Sequence, residues 1–88
     1  MGDFVKYTVV IKKRAKKFID SLPRPDRERI VAALEKLPSE GDIKQLVNSP
    51  GLFRLRVGTY RIIYSVDHGK LLVIVIDADN RGQVYKRY

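Results

Sequence analysis

Eighty-eight residues (1–88) make a single domain, with no length left for a second. Eighteen basic against ten acidic side chains leave a net charge of +8, an excess that suits a polyanionic partner, either nucleic acid or an acidic protein. Cysteine is absent, which excludes thiolate nucleophiles, thiolate metal sites and disulfide staples.

The opening Met-Gly-Asp-Phe-Val-Lys-Tyr lacks the basic-then-apolar build of a secretory leader. Phe4 to Ile11 alternates loosely and is rich in valine, so a first strand is expected there. From Lys12 the period changes to that of a helix. Ile11, Ala15, Phe18, Ile19 and Leu22 share one face, with Lys12, Lys13, Arg14, Lys16 and Lys17 around the other. Pro23 ends this helix and Pro25 suits the first turn of the next. Ile30, Ala33, Leu34 and Leu37 form a second stripe, closed by Pro38, so the two elements read as an α-hairpin. Polar Ser39 to Pro50 reads as a loop.

The remainder reads as a meander. Leu52–Val57 and Tyr60–Val66 are strands joined at Gly58-Thr59. A second turn at His68-Gly69, flanked by Asp67 and Lys70 as a cross-strand ion pair, leads into a last strand from Lys70 to Ala78. Its run Leu71–Ile76 is apolar on both faces, as a covered strand should be, and far too short to cross a bilayer. A cytoplasmic location without membrane contact is expected. Asp79 to Tyr88 is a short basic tail. The order βααβββ predicts an α+β fold, with the N-terminal strand and α-hairpin packed on one face of a small antiparallel sheet.

A two-residue loop at Gly58-Thr59 sets Val57 opposite Tyr60, Arg56 opposite Arg61 and Leu55 opposite Ile62. Phe53, Leu55, Val57, Tyr60, Ile62, Tyr64 and Val66 then face the helices. Arg54, Arg56 and Arg61 share the other face with Ile63 and Ser65, and Ile74 and Ile76 are expected to floor it. Directly opposed like charges normally destabilise a sheet. Either Asp77 or a helix carboxylate pairs these arginines, or they await an external anion, for which guanidinium forks match phosphate oxygens. In the tail, Arg81 and Tyr85 are four residues apart and would share one side of a helical turn. His68, the only histidine, reads as a turn residue. Asp77 and Asp79 form a close carboxylate pair with no further ligand at metal spacing, so neither metal nor cofactor is expected.

Leu52–Val66, LFRLRVGTYRIIYSV, resembles the most diagnostic block of the RelE/ParE superfamily of bacterial and archaeal toxins: an R-x-R strand, a glycine turn and a Tyr-Arg strand start. The closing DADNRGQVYKRY is similar to the family's arginine followed by Val-Tyr, and the A-x-x-F-I-x-x-L helix with its proline break matches as well. The resemblance implies the toxin of a type II toxin–antitoxin module. In the RelE-like branch it implies a metal-independent endoribonuclease cleaving mRNA in the ribosomal A site, by attack of the RNA 2′-OH on the adjacent phosphate.

Carried over by position, the catalytic set is Arg61, Arg81 and Tyr85. Arg61 clamps the phosphate, Arg81 stabilises the transition state, and Tyr85 orients or deprotonates the 2′-OH. Arg54, Arg56, Lys86 and Arg87 would bind the RNA backbone. Arg54 and Arg56 stand where some members carry lysines, and Asp79 where a glycine is common, close enough in sequence to pair with Arg81. The implied partners are an acidic cognate antitoxin and mRNA on the ribosome, with contacts to 16S rRNA. Two alternatives share the fold: a ParE-like inhibitor of DNA gyrase, and a non-catalytic module that binds RNA or the ribosome.

Overall fold

The computed structural model describes residues 6–80. β1 (Thr8–Ile11) leads through Lys12 into α1 (Lys13–Asp20) and then α2 (Arg24–Leu34). Four strands follow: β2 (Asp42–Gln45), β3 (Phe53–Val57), β4 (Tyr60–Asp67) and β5 (Leu72–Asn80). All five strands form one sheet in the order β1-β5-β4-β3-β2.

The helices form where the apolar period predicts. Ala15 and Ile19 bury one stripe of α1, and Ile30 and Leu34 one stripe of α2, with Leu37 just beyond it. Proline punctuates as expected: Pro23 precedes α2, and Pro25 lies in its first turn, where a missing N–H leaves no bond unmade. The two stripes meet Leu55, Val57, Ile62, Tyr64, Val73, Val75 and Ala78 of the sheet in one core. Within it Phe53 stacks on Tyr64 across the β3–β4 ladder, with ring centroids 5.5 Å apart.

Two features depart from the expected meander. First, the supposed loop Ser39–Pro50 contains β2, antiparallel to β3. Only Ile43 of this edge strand packs on the core, so its polar sequence hides its pairing. Gly41 makes the tight entrance to it, at φ 138°, where a β-carbon would stand 2.7 Å from Leu55. The order is therefore βααββββ. Second, the sheet is mixed, because β1 lies parallel to β5, with Thr8 opposite Leu72 and Ile11 opposite Val75. Paired on both edges, β5 needs the continuous apolar run that it carries.

At the β4–β5 turn, Asp67 pairs with Leu72, so the loop is four residues long. The Asp67 carboxylate accepts the Lys70 backbone N–H at 2.9 Å in place of the expected cross-strand ion pair. None of the described helices is long and apolar enough to cross a membrane.

Candidate nucleic-acid interface

The β3–β4 hairpin pairs as its two-residue loop dictates: Val57 with Tyr60, Arg56 with Arg61, Leu55 with Ile62 and Arg54 with Ile63. Gly58 takes φ 60° at the first loop position, the left-handed conformation a type II′ turn requires there. Arg54, Arg56 and Arg61 thus share the face turned away from the helices. Their environments differ sharply.

Arg54 is buried, 9% exposed, and its terminal nitrogen lies 3.4 Å from Oδ1 of Asp42 on β2, while its Nε has no hydrogen-bond partner. Arg56 is exposed and Arg61 half-buried. Arg61 donates to the Thr59 carbonyl at 3.1 Å, and Arg56 Nε reaches the Gly58 carbonyl at 3.5 Å. Among the described residues neither of these two guanidinium groups is in an ion pair. The turn that opposes the two arginines therefore also supplies the carbonyl dipoles that hold them. A carbonyl engages one N–H of a guanidinium group and leaves the others able to donate to an anion.

The apolar floor differs from the expected one. A β-bulge shifts the β4–β5 register: Tyr64 pairs with Val75 but Ile63 pairs with Asp77, which leaves Ile76 unmatched. Asp77 and Asp79 thereby fall opposite Ile63 and Arg61, and Ile74 falls opposite Ser65. The floor under the arginines is Ile63, which is fully buried. Asp77 is fully buried as well, and Arg14 reaches it from α1 at 3.5 Å, so this carboxylate is not the arginine partner weighed above. Each aspartate also accepts the backbone N–H of its successor, Ala78 at 2.9 Å and Asn80 at 2.7 Å.

Lys44 adds a cation that sequence reasoning missed. It is exposed and pairs with Arg54 across β2–β3, so it stands on the same face. The signal lay in a strand mistaken for a loop. Arg81, Tyr85, Lys86 and Arg87 lie outside the described residues.

His68 sits in the β4–β5 turn, as expected, at the far end of β4 from Arg61; its Nδ1 is 2.7 Å from the Tyr7 hydroxyl. On the helical side of the hairpin, Tyr60 packs edge-on against Phe18 and donates to Oδ2 of Asp26 at 2.6 Å. Arg29 donates to Oδ1 of the same carboxylate at 2.9 Å. The Tyr60–Asp26 hydrogen bond is the main cause raising the Tyr60 phenol above its ordinary pKa of 10.0.

Residues 9–85 match the family described as the ParE toxin of type II toxin–antitoxin systems, parDE. The chain belongs to the RelE/ParE superfamily of type II toxins. Toxin RelG of Mycobacterium tuberculosis is 31% identical to it, over 92% of this chain and 98% of the relative. Among solved structures, the archaeal RelE–RelB complex from Pyrococcus horikoshii OT3 matches with a TM-score of 0.72 at 30% identity, covering 90% of this toxin and 99% of the matched chain. The intact E. coli RelBE toxin–antitoxin complex matches with a TM-score of 0.70 at 26% identity, covering 84% and 95%. These likenesses cover most of the chain and are not confined to the arginine hairpin.

Proposed function

We propose that this toxin is a ribosome-dependent endoribonuclease that cuts mRNA in the A site and so stops translation. The observation that supports it best is the opposed pair Arg56 and Arg61, held by turn carbonyls with further N–H groups left to donate. In the proposed reaction the RNA 2′-oxygen attacks the adjacent phosphorus as the bond to the 5′-oxygen breaks, giving a 2′,3′-cyclic phosphate and a free 5′-hydroxyl. Negative charge grows on the non-bridging oxygens, where a fixed guanidinium group stabilises the transition state more than the ground state.

Arg61 is assigned that clamp, and Arg56, Arg54 and Lys44 a supporting field along the backbone. Arg81 is assigned to the leaving side, Tyr85 to the 2′-OH, and Lys86 and Arg87 to flanking phosphates, all by family position. Arginine cannot serve as a base at neutral pH, so on this reading Tyr85 takes the proton of the 2′-OH in its phenolate form, and a proton from solvent completes the departing 5′-hydroxyl. A basic chain of this kind is neutralised by an acidic antitoxin, a partner supported by the RelE–RelB complexes among its structural neighbours.

The test is cell-free translation followed by primer extension along the message. Cuts within A-site codons are expected from the wild type and their loss from Arg61→Ala, with circular dichroism unchanged. Intact mRNA throughout would overturn the reading. The family description names ParE, so gyrase inhibition is the second reading. Blocked DNA supercoiling with uncut message would select it.

A further inference from the structure

The register sets one carboxylate in line with the two arginines. Asp42 of β2 pairs with Arg56 of β3, and Arg56 pairs with Arg61 of β4, so the three side chains form a row across the outer face of the sheet. Neighbouring strands lie about 5 Å apart. The carboxylate therefore stands one strand beyond the arginines assigned to the scissile phosphate. A face built only to hold a polyanion has no use for a negative charge there.

The structural duties open to Asp42 account for it poorly. Its ion pair with the buried Arg54 is long, at 3.4 Å, where a charge-assisted hydrogen bond closes to about 2.7–2.9 Å. The Asp42 side chain stays 58% exposed while that of Arg54 is 11% exposed, so the carboxylate is not buried with the charge beside it. Only Oδ1 is engaged; among the described residues Oδ2 makes no hydrogen bond or ion pair. Protection of the sheet edge does not require an acid either. Lysine serves that purpose, and Lys44 already stands two residues on, along the same side of β2.

We propose that Asp42 selects ribose: its open carboxylate oxygen accepts the 2′-OH of a nucleotide flanking the cut, so that RNA is favoured over a deoxyribose backbone at that position. In a nucleic-acid strand each sugar lies next to its phosphate, so a carboxylate one strand from the phosphate clamp is within reach of a neighbouring sugar. A 2′-OH there donates to the carboxylate and offsets its repulsion from the phosphates. A deoxyribose has no such donor, and the repulsion stands uncompensated. One residue thus works both for RNA and against DNA through the group that distinguishes them.

The hydroxyl concerned is not the attacking one, which remains with Tyr85. The assignment rests on the nuclease reading given above and names a specificity of that same site.

The test uses short messages set in the ribosomal A site, one all-ribose and two with a single deoxyribose on either side of the attacking nucleotide. Wild type, Asp42→Ala and Asp42→Asn are compared on the same ribosomes under single turnover, so that any preference of the ribosome itself cancels. At one of the two flanks wild type should cut the deoxyribose message about tenfold more slowly, the worth of one hydrogen bond. Asp42→Ala should cut that message and the all-ribose one at equal rates, within about twofold, with circular dichroism unchanged. Asp42→Asn keeps an acceptor without the charge and should retain part of the preference. Discrimination that survives in Asp42→Ala overturns the proposal, and so does a wild type indifferent to both flanks. An equal fall on all three messages also overturns it, since Asp42 would then merely support Arg54 or the chemistry. Wild type that cuts no message fails the nuclease reading instead. The affinities of the isolated toxin for the same three oligonucleotides then decide on Asp42: a ribose preference lost in Asp42→Ala upholds its role, and equal affinities end it.

Discussion

Tyr60 and Asp26 lie 34 residues apart in sequence, yet the phenol donates to the carboxylate at 2.6 Å. This bond ties the first residue of β4, next to Arg61, to the first turn of α2. It fixes the arginine hairpin against the helical layer from the side that the arginines do not face. Tyr60→Phe and Asp26→Asn should each lower the denaturation midpoint. Combined, they should do little more harm than the worse single change, because both remove one shared contact. Full additivity in a double-mutant cycle would show that the two side chains act separately. Arg61→Ala activity assays can be repeated in the Tyr60→Phe background to separate loss of fold from loss of chemistry.

Alkaline pH gives a second expectation. Burial pushes the Tyr64 phenol up to about 12, and the hydrogen bond to Asp26 raises Tyr60. A raised folded pKa means that the folded state holds the proton more tightly than the unfolded chain. The associated stability is complete below the unfolded value of 10.0 and is lost as pH rises from there towards 12. Denaturant midpoints should be flat in this respect up to pH 10 and fall beyond it. Phenolate absorbance should show two tyrosines ionising late. Tyr64→Phe should remove one of them, and a normal titration in wild type would contradict the burial.

Ile63 separates two kinds of surface, since it is fully buried yet stands on the arginine face beside Arg54. Ile63→Ala should cost about 2–5 kcal/mol, because close-packed neighbours collapse only partly into the space left. Chemical denaturation measures this. A cost below about 1 kcal/mol would show that the face re-forms easily around the missing side chain.

Glycine at the hairpin is a backbone requirement. At Gly58 a new β-carbon would find its nearest neighbour, the Arg29 guanidinium, at an ordinary 3.6 Å. Gly58→Ala should therefore cost only the left-handed strain, about 1–2 kcal/mol. Gly41→Ala adds a contact of 2.7 Å with Leu55 to its own φ of 138° and should be worse. Comparison of the two midpoints decides; equal costs would mean that Leu55 gives way freely.

What the sequence revealed follows from where its signals are local. The hairpin register was legible because two loop residues between alternating strands permit one pairing, so Arg56 could be set opposite Arg61 in advance. β2 was illegible because an edge strand with one face in water needs only Ile43 to anchor it, and Lys44 was lost along with it. The bulge at Ile76 was hidden inside an unbroken apolar run, where shifting the register by one residue leaves hydrophobicity unchanged. Together with the two extra residues of the β4–β5 turn it moves the register by three, which puts Asp77 and Asp79 opposite Ile63 and Arg61 in place of the expected isoleucines. The parallel pairing of β1 with β5 has no mark in either segment, since it joins strands at opposite ends of the chain. The tail carrying Arg81 and Tyr85 remains a sequence-based assignment.

That parallel pairing sets the order in which a nascent chain can assemble. β1 is made well before its hydrogen-bonding partners, which begin at Leu72. Until then its Val9 and Ile11 lack the neighbour against which they are finally buried. The β3–β4 hairpin, closed by adjacent residues, can form well before this. The cationic hairpin would thus take shape during synthesis while the sheet is still open at its other side, and β5, made after the other described strands, is the one that locks it.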